Sequence, residues 1–209
     1  MHNIFLFVLE YFHMELKATF GILSAFFTFA GLIPYFLEIH KRKIYPHNLS
    51  WLGWAFITFI GAIAMLSDGG TWSVVILFAN SLSCILVVLY SIYKKVGVWS
   101  TTIYDYIFFG LGIFGIVLWQ TFNLPIMAIL CAVLADLFFG IPTIIKAYKN
   151  PKSETYLAWL FCSIAGLLSL FAVRSYVLVE FLYPLYLFIF DTLILLIIII
   201  NRSVKILDK

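Results

Sequence analysis

Residues 31–52 read GLIPYFLEIHKRKIYPHNLSWL. The stretch begins as the apolar end of a helix that contains Pro34, continues into a basic loop at residues 41–43, and ends where a new apolar helix opens near Trp51. An apolar helix, a short cationic loop and a second apolar helix are typical of a chain that leaves the membrane on its cytoplasmic side and re-enters it. The stretch therefore predicts two membrane-spanning helices joined by a cytoplasmic loop.

The composition of the whole chain agrees with this interpretation. Of the 209 residues, 64% are hydrophobic and only 11% are charged, and the mean hydropathy is +1.08. Soluble domains carry about 25% charged residues, so this chain has too few to cover a water-exposed surface. These figures exclude a water-soluble enzyme, a disordered tail and a disulfide-rich secreted module, and the net charge of +3 is too small to indicate nucleic acid. The three cysteines lie in apolar stretches without metal-ligand spacing, so neither a metal nor a cofactor is predicted.

Seven segments are long and apolar enough to cross the hydrocarbon, which requires about 20 residues. They cover residues 18–38, 49–66, 72–93, 103–120, 124–147, 156–175 and 177–200. The loops after the first, third and fifth segments and the C-terminal tail contain most of the cations, namely Lys41, Arg42, Lys43, Lys94, Lys95, Lys146, Lys149, Lys152, Arg202, Lys205 and Lys209. The opposite side has only Lys17 and Arg174. Because flanking cations collect on the cytoplasmic side, we predict an outside N-terminus and a cytoplasmic C-terminus.

The basic loop and its flanks occur twice. A shift of 108 residues places Ile33-Pro34 on Ile141-Pro142, and the Leu-x-Trp-Leu of residues 49–52 on that of residues 157–160. This predicts an all-α membrane protein of two parallel three-helix units, residues 18–95 and 124–205, joined by a linker helix within residues 96–123. Residues 1–17 are predicted to be a lead-in or interfacial helix, because they lack the basic region and cleavage site of a signal peptide. Residues 206–209 are predicted to be a cytoplasmic tail.

A proline stands near the end of the first helix in each unit, as Pro34-Tyr35 and Pro142-Thr143. Together with the repeat, this resembles the PQ-loop and SWEET-like transporters, which carry a Pro-Gln pair at those places; here the prolines are present and the glutamines are not. The resemblance covers most of residues 18–205 and implies three helices, a linker helix and three more. Since proline removes a backbone hydrogen bond, we predict that Pro34 and Pro142 are hinges; the alternative is a static bend.

The third helix of the first unit also contributes to the resemblance. Residues 76–81 read ILFANS, and Asn80 matches the substrate-binding asparagine of the sugar-transporting members. Its counterpart in the second unit is Phe188, which is taken as a candidate binding position as well. No tryptophan occupies residues 62–65, where the sugar carriers place a stacking ring, so the resemblance implies the fold rather than a sugar substrate.

Two acids lie near the middle of predicted spans, where a charge costs about 2.5–3.5 kcal/mol on insertion scales. The repeat places Asp136 on Thr28 and Asp191 on Ser83, and Ser83 shares a helix face with Asn80. These residues are predicted to line a central site that binds a cationic substrate or takes up a proton, since neither Lys nor Arg lies at that depth. The alternative is that each acid makes an interhelical hydrogen bond that stabilises the bundle. Candidates for a pocket or gate are Tyr35, Trp51, Trp54 and Tyr186.

The sequence thus favours a multi-pass small-solute transporter that works by alternating access, with a proton as the candidate coupling ion. Its predicted partners are a small solute and the lipid bilayer, of the cell or of an organelle, and a homo-oligomer is left open. The alternative is a non-transporting receptor or scaffold of the same fold. An enzyme is not predicted, because the chain lacks HExxH and paired Cys or His ligands.

Overall fold

The computed structural model describes residues 2–99 and 103–207. Within these ranges the chain forms seven α-helices: α1 His2–His40, α2 Asn48–Ser67, α3 Val75–Lys94, α4 Ile103–Phe122, α5 Pro125–Lys149, α6 Tyr156–Ala172 and α7 Leu178–Leu207. A 3-10 helix, Trp72–Val74, leads into α3, and another, Pro151–Ser153, precedes α6. Each α-helix overlaps a segment that the sequence predicts to be apolar and helical, although α3 begins after the 3-10 turn at Val75 and α6 ends at Ala172, three residues before the predicted end of its segment. The prediction of an all-α membrane protein is confirmed at this level.

Five stretches within the described residues are long and apolar enough to cross a membrane. They are Tyr11–His40, Asn48–Ser67, Trp72–Lys94, Pro125–Lys149 and Leu178–Ser203. Two further apolar stretches, Ile113–Phe122 in α4 and the whole of α6, are shorter. The chain is therefore a membrane protein by the length and composition of its helices.

The first and last helices are longer than the sequence predicts. The segment 1–17, expected to be a separate lead-in, is helical from His2 and continuous with the first span. Neither glycine nor proline interrupts residues 2–20, so nothing in the backbone stops the helix there. Helix α7 continues past residue 200 to Leu207, and within its last turns Asn201 and Ser203 hydrogen-bond to carbonyls of their own helix, at 2.8 and 3.0 Å.

The helices pack in a regular order. Helix α3 packs on α1 and α2, and α7 packs on α5 and α6. Helix α1 also packs on α6, α2 packs on α5, and α4 packs on α5 and α2. We call the end of the bundle that holds loops 41–47 and 150–155 the basic end, and the end that holds loops 68–71 and 173–177 the opposite end.

The buried apolar core is divided differently at the two ends. At the opposite end a single cluster joins α2, α3, α5, α6 and α7, with Met65, Leu77, Ile129 and Tyr183 fully buried within it. Two separate clusters lie toward the basic end. One is built mainly on α1 and α3, and the other on α5 and α7. The two halves of the bundle are therefore bound together more extensively at the opposite end than at the basic end.

Candidate functional site

A cavity lies between the helices at the middle of the bundle and reaches toward the basic end. The space between the atoms of its walls is about 810 Å³, a figure that includes the solvent at its open mouth. It is lined by Thr28, Gly31, Leu32, Tyr35, Trp51, Trp54, Ile76, Asn80, Ser83, Cys84, Asp136, Ala158, Trp159, Cys162, Ala165, Leu187, Phe190 and Asp191.

Five of the six residues that the sequence singles out as candidate binding positions line this one cavity: Thr28, Asn80, Ser83, Asp136 and Asp191. The sixth, Phe188, is not among the lining residues. It lies where α7 crosses α6, and its backbone comes so close to Gly166 that a Cβ on the glycine would be 2.7 Å from the Phe188 Cα. The helical register explains the difference, because α7 faces the cavity with Leu187, Phe190 and Asp191, and Phe188 lies about 100° around the helix from Leu187.

Asp136, on α5, is buried and fully hydrogen-bonded. The Tyr183 hydroxyl donates to its Oδ2 at 2.9 Å, and the Tyr186 hydroxyl donates to its Oδ1 at 3.0 Å. Both donors lie on α7, so the carboxyl group joins two helices at mid-depth. The alternative interpretation of an interhelical hydrogen bond therefore describes the contacts of Asp136, although the residue also lines the cavity. Tyr186, considered as a gate, contacts the site through this bond.

Asp191, on α7, is in a different situation. It is half-buried and lines the cavity, and its carboxyl group has no hydrogen-bond or ion-pair partner among the described residues. The polar groups of α3 that line the same cavity are under-used as well. The Ser83 hydroxyl is buried without a partner in the described part of the chain, and the Asn80 side chain is engaged only by a 4.0 Å contact from the Cys84 thiol to its Oδ1. Thr28 instead donates to the carbonyl of Ser24 in its own helix, at 2.9 Å.

Aromatic rings form the walls of the cavity toward the basic end. Tyr35 and Trp51 have ring centroids 5.1 Å apart, and Trp51 meets Trp54 edge-on at 5.4 Å. On the other side Trp159 packs near Phe190 at 6.5 Å. Three of these, Tyr35, Trp51 and Trp54, are predicted from the sequence as pocket candidates.

Trp159 and Phe190 are lining residues that the sequence reasoning missed. The signal for Trp159 was present, because the repeat that aligns residues 49–52 with residues 157–160 makes it the equivalent of Trp51. The signal for Phe190 was only its position beside Asp191. The two equivalent tryptophans stand on α2 and α6, which begin at the same end of the bundle.

A buried acid closes the opposite end of the bundle. The Glu180 carboxylate, in the first turn of α7, accepts the Ser73 hydroxyl at 2.7 Å and the Arg174 backbone N–H at 2.8 Å on Oε1. Its Oε2 accepts the Ser175 N–H at 2.9 Å and the Ser175 hydroxyl at 3.4 Å. Lys17 adds a 2.7 Å bond from its ammonium group to the Arg174 carbonyl. These bonds join the 3-10 helix before α3, the loop 173–177 and the start of α7, and Lys17 adds helix α1.

The two prolines predicted to be hinges lie inside helices. Helix α1 continues through Pro34 to His40, and the residues on either side of this proline, 31–32 and Tyr35, line the cavity. Pro142 lies within α5, but its side chain falls outside the described residues. The backbone position of Pro34 thus lies directly beside the site.

Comparison of the chain with protein-family models, with curated proteins and with solved structures finds no match to any of them. The resemblance to PQ-loop and SWEET-like transporters accordingly stays a prediction from the sequence.

Proposed function

We propose that the chain is a small-solute membrane transporter that works by alternating access, with all seven helices crossing the bilayer as three, one and three. The observation that carries the proposal is the cavity. Four of its polar residues form two pairs related by the sequence repeat, Thr28 with Asp136 and Ser83 with Asp191, and all four meet in one mid-bundle space. Transporters built from repeats bind their substrates near the bilayer midplane, at the interface between the repeats.

The packing order supports two equivalent units. In each set of three helices the third packs on the first and the second, as α3 does on α1 and α2, and α7 on α5 and α6. The contacts between the two sets are also equivalent. The first helix of each set packs on the second helix of the other, as α1 does on α6 and α5 does on α2. A pseudo-two-fold arrangement of parallel repeats has this pattern. Helix α6, with 17 residues, extends about 25 Å and reaches the lower limit for a span.

The division of the core supports a rocking movement. Opening the opposite end would separate a single apolar cluster and break the Glu180 hydrogen bonds. Opening the basic end would separate a smaller apolar contact, that of Ala158 on α6 with the cluster on α1 and α3. The described conformation is therefore closed at the opposite end, with the cavity reaching toward the end that the cations assign to the cytoplasm. Helix α1 can bend at Pro34, beside the cavity. Proline has no backbone N–H, so the carbonyl four residues earlier receives no helical hydrogen bond there.

The proposal also includes proton coupling. Asp136 and Asp191 both line the cavity, and neither Lys nor Arg is among the lining residues. A carboxylate at this depth is stabilised by a bound cation or by a proton. A cycle in which one of these acids takes up a proton on one side and loses it on the other would couple solute movement to a pH gradient.

The test is transport by the purified chain in proteoliposomes. A panel of cationic, neutral and anionic solutes would be offered with and without a pH gradient, to the native protein and to Asp136→Asn and Asp191→Asn. Asp68→Asn is the matched control, since Asp68 is exposed at the opposite end and away from the cavity. We expect uptake that the cavity variants reduce and the control does not. Uptake whose pH dependence both variants leave intact would reject the coupling, and the absence of flux for every solute would favour a receptor or scaffold.

A further inference from the structure

We infer that Asp191, with the tryptophans that line the same cavity, forms a site for a small organic ammonium ion that carries no carboxylate. The inference rests on the proposed function and names the substrate class of that transporter. It starts from the difference between the two mid-membrane acids. Asp136 receives a tyrosine hydroxyl on each oxygen, whereas Asp191 receives no donor from any described residue.

A carboxyl group without a partner in the centre of an apolar bundle is costly, and acids in this position almost always face a partner or a functional cavity. The missing partner of Asp191 is a donor or a cation, because an ionised carboxylate only accepts hydrogen bonds. No Lys, Arg or His is among the lining residues, so the described part of the chain supplies no cation to the cavity. We therefore assign the positive charge to the ligand.

The walls of the cavity favour an organic cation over a metal ion. Small metal cations are held by several oxygen ligands at about 2.0–2.6 Å, and the surface here is mainly aromatic and aliphatic. Trp51, Trp54 and Trp159 present large rings to the cavity, and tryptophan is the side chain that attracts an ammonium group most strongly through its ring face. A carboxylate with aromatic walls is a suitable environment for an alkylammonium group.

The same lining argues against two other solute classes. An amino acid would bring a carboxylate, and neither Lys nor Arg lines the cavity to receive it. A sugar would need many donors and acceptors around its ring, whereas the lining has few polar side chains, of which Thr28 and Asp136 are already hydrogen-bonded within the protein. The unpartnered Ser83 hydroxyl and the Asn80 amide lie on α3 and are available for one polar substituent of the ammonium compound.

A native thiol makes the site measurable without transport. Cys162 lines the cavity and is partly exposed, whereas Cys131 is not a lining residue and its side chain packs against Gly115 of α4. The experiment measures maleimide labelling of each cysteine by peptide mass spectrometry, together with the melting temperature of the purified protein. The probes are choline and 3,3-dimethylbutan-1-ol, which has the same shape as choline but carries no charge. Sodium chloride at matched ionic strength is the salt control.

We expect choline to slow the labelling of Cys162 but not of Cys131, and to raise the melting temperature, while the neutral analogue does neither. Asp191→Asn should weaken this protection by more than about tenfold, because it removes the charge that faces the ammonium group. Trp51→Leu should weaken it as well, and serves as the second variant if Asp191→Asn does not fold. Asp68→Asn should leave the protection unchanged, because Asp68 is remote from the cavity.

Equal protection by the neutral analogue, or protection that survives in both Asp191→Asn and Trp51→Leu, would overturn the assignment. So would the absence of protection by choline, tetramethylammonium and benzyltrimethylammonium alike. The ammonium site and the transport function can be tested independently of each other. Binding of an ammonium compound without flux in proteoliposomes would refute transport and leave the site, whereas flux of a neutral solute without ammonium binding would refute the site and leave transport.

Discussion

Replacing Glu180 with glutamine should destabilise the protein, although the two side chains have nearly the same shape. The carboxylate is buried, at 3% exposure, and its two oxygens divide four hydrogen bonds between them. Two of the donors are the backbone N–H groups of Arg174 and Ser175, which have fixed directions and cannot turn toward another acceptor. The other two are the hydroxyls of Ser73 and Ser175, which can rotate.

The magnitude follows from this geometry. Glutamine has one carbonyl oxygen, so its NH2 group must occupy the place of either Oε1 or Oε2. In the first case the Arg174 N–H faces another donor, and in the second case the Ser175 N–H does. An orphaned donor costs about 1–3 kcal/mol, and the remaining bonds lose the charge assistance that roughly doubles their strength. We expect a total loss of about 2–4 kcal/mol, which corresponds to a fall in melting temperature of roughly 5–15 °C for a chain of this size.

The assay is thermal unfolding of the purified variants in detergent and in nanodiscs, followed by tryptophan fluorescence. Asp68→Asn makes the same change of charge at the same end on an exposed side chain and should leave the melting temperature almost unchanged. Ser73→Ala removes one rotatable donor and keeps both backbone bonds, so its loss should be about 0.5–1.5 kcal/mol. If Glu180→Gln melts no lower than Asp68→Asn, or if Ser73→Ala is as damaging as Glu180→Gln, the reasoning is wrong.

Three further changes test other regions of the structure. Gly166→Ala should lower the melting temperature, because the new Cβ would stand 2.7 Å from a backbone atom of α7. Its control, Gly110→Ala, has nothing within 4 Å among the described residues and should be neutral or stabilising by up to about 1 kcal/mol in the same measurement. Tyr183→Phe removes a 2.9 Å bond to the buried Asp136 and should cost about 0.5–3 kcal/mol in thermal unfolding; an unchanged midpoint would contradict the role of that bond. Pro34→Ala should restore a backbone hydrogen bond, keep the folded yield and slow solute uptake in proteoliposomes, and full uptake would reject the hinge.

The positions of the helices followed from the sequence because one physical signal decides them. Apolar runs of about 20 residues separated by short polar loops leave little choice of secondary structure in a membrane. The helix ends were harder to predict, since they depend on local hydrogen bonds that composition does not reveal. The polar last turns of α7, where Asn201 and Ser203 hydrogen-bond to carbonyls of their own helix, are of this kind.

Part of the site was predictable because the repeat aligns polar residues of one unit with polar residues of the other. Alignment of the two units placed Thr28 with Asp136 and Ser83 with Asp191, and these residues share one cavity. Phe188 was placed by the same alignment, but the close approach of α6 at Gly166 directs that position to a helix crossing instead. An alignment does not show whether a buried acid is hydrogen-bonded or unpartnered. That depends on which side chains of a neighbouring helix come within hydrogen-bonding distance of it.

The buried acids of this chain show why the missing partner of Asp191 is informative. Glu180 is satisfied by a loop and by Ser73, and Asp136 is satisfied by two tyrosines of the facing helix. The fold therefore brings donors to carboxylates where they hold elements together. The Ser83 hydroxyl on α3 lines the same cavity and has no partner among the described residues, yet it does not bond to Asp191. If Asp191 served only to hold the helices together, we would expect a donor to reach it, as the tyrosines of α7 reach Asp136. The cavity instead lies between Asp191 and the Ser83 hydroxyl, and this is the space in which we propose that the ammonium ligand binds.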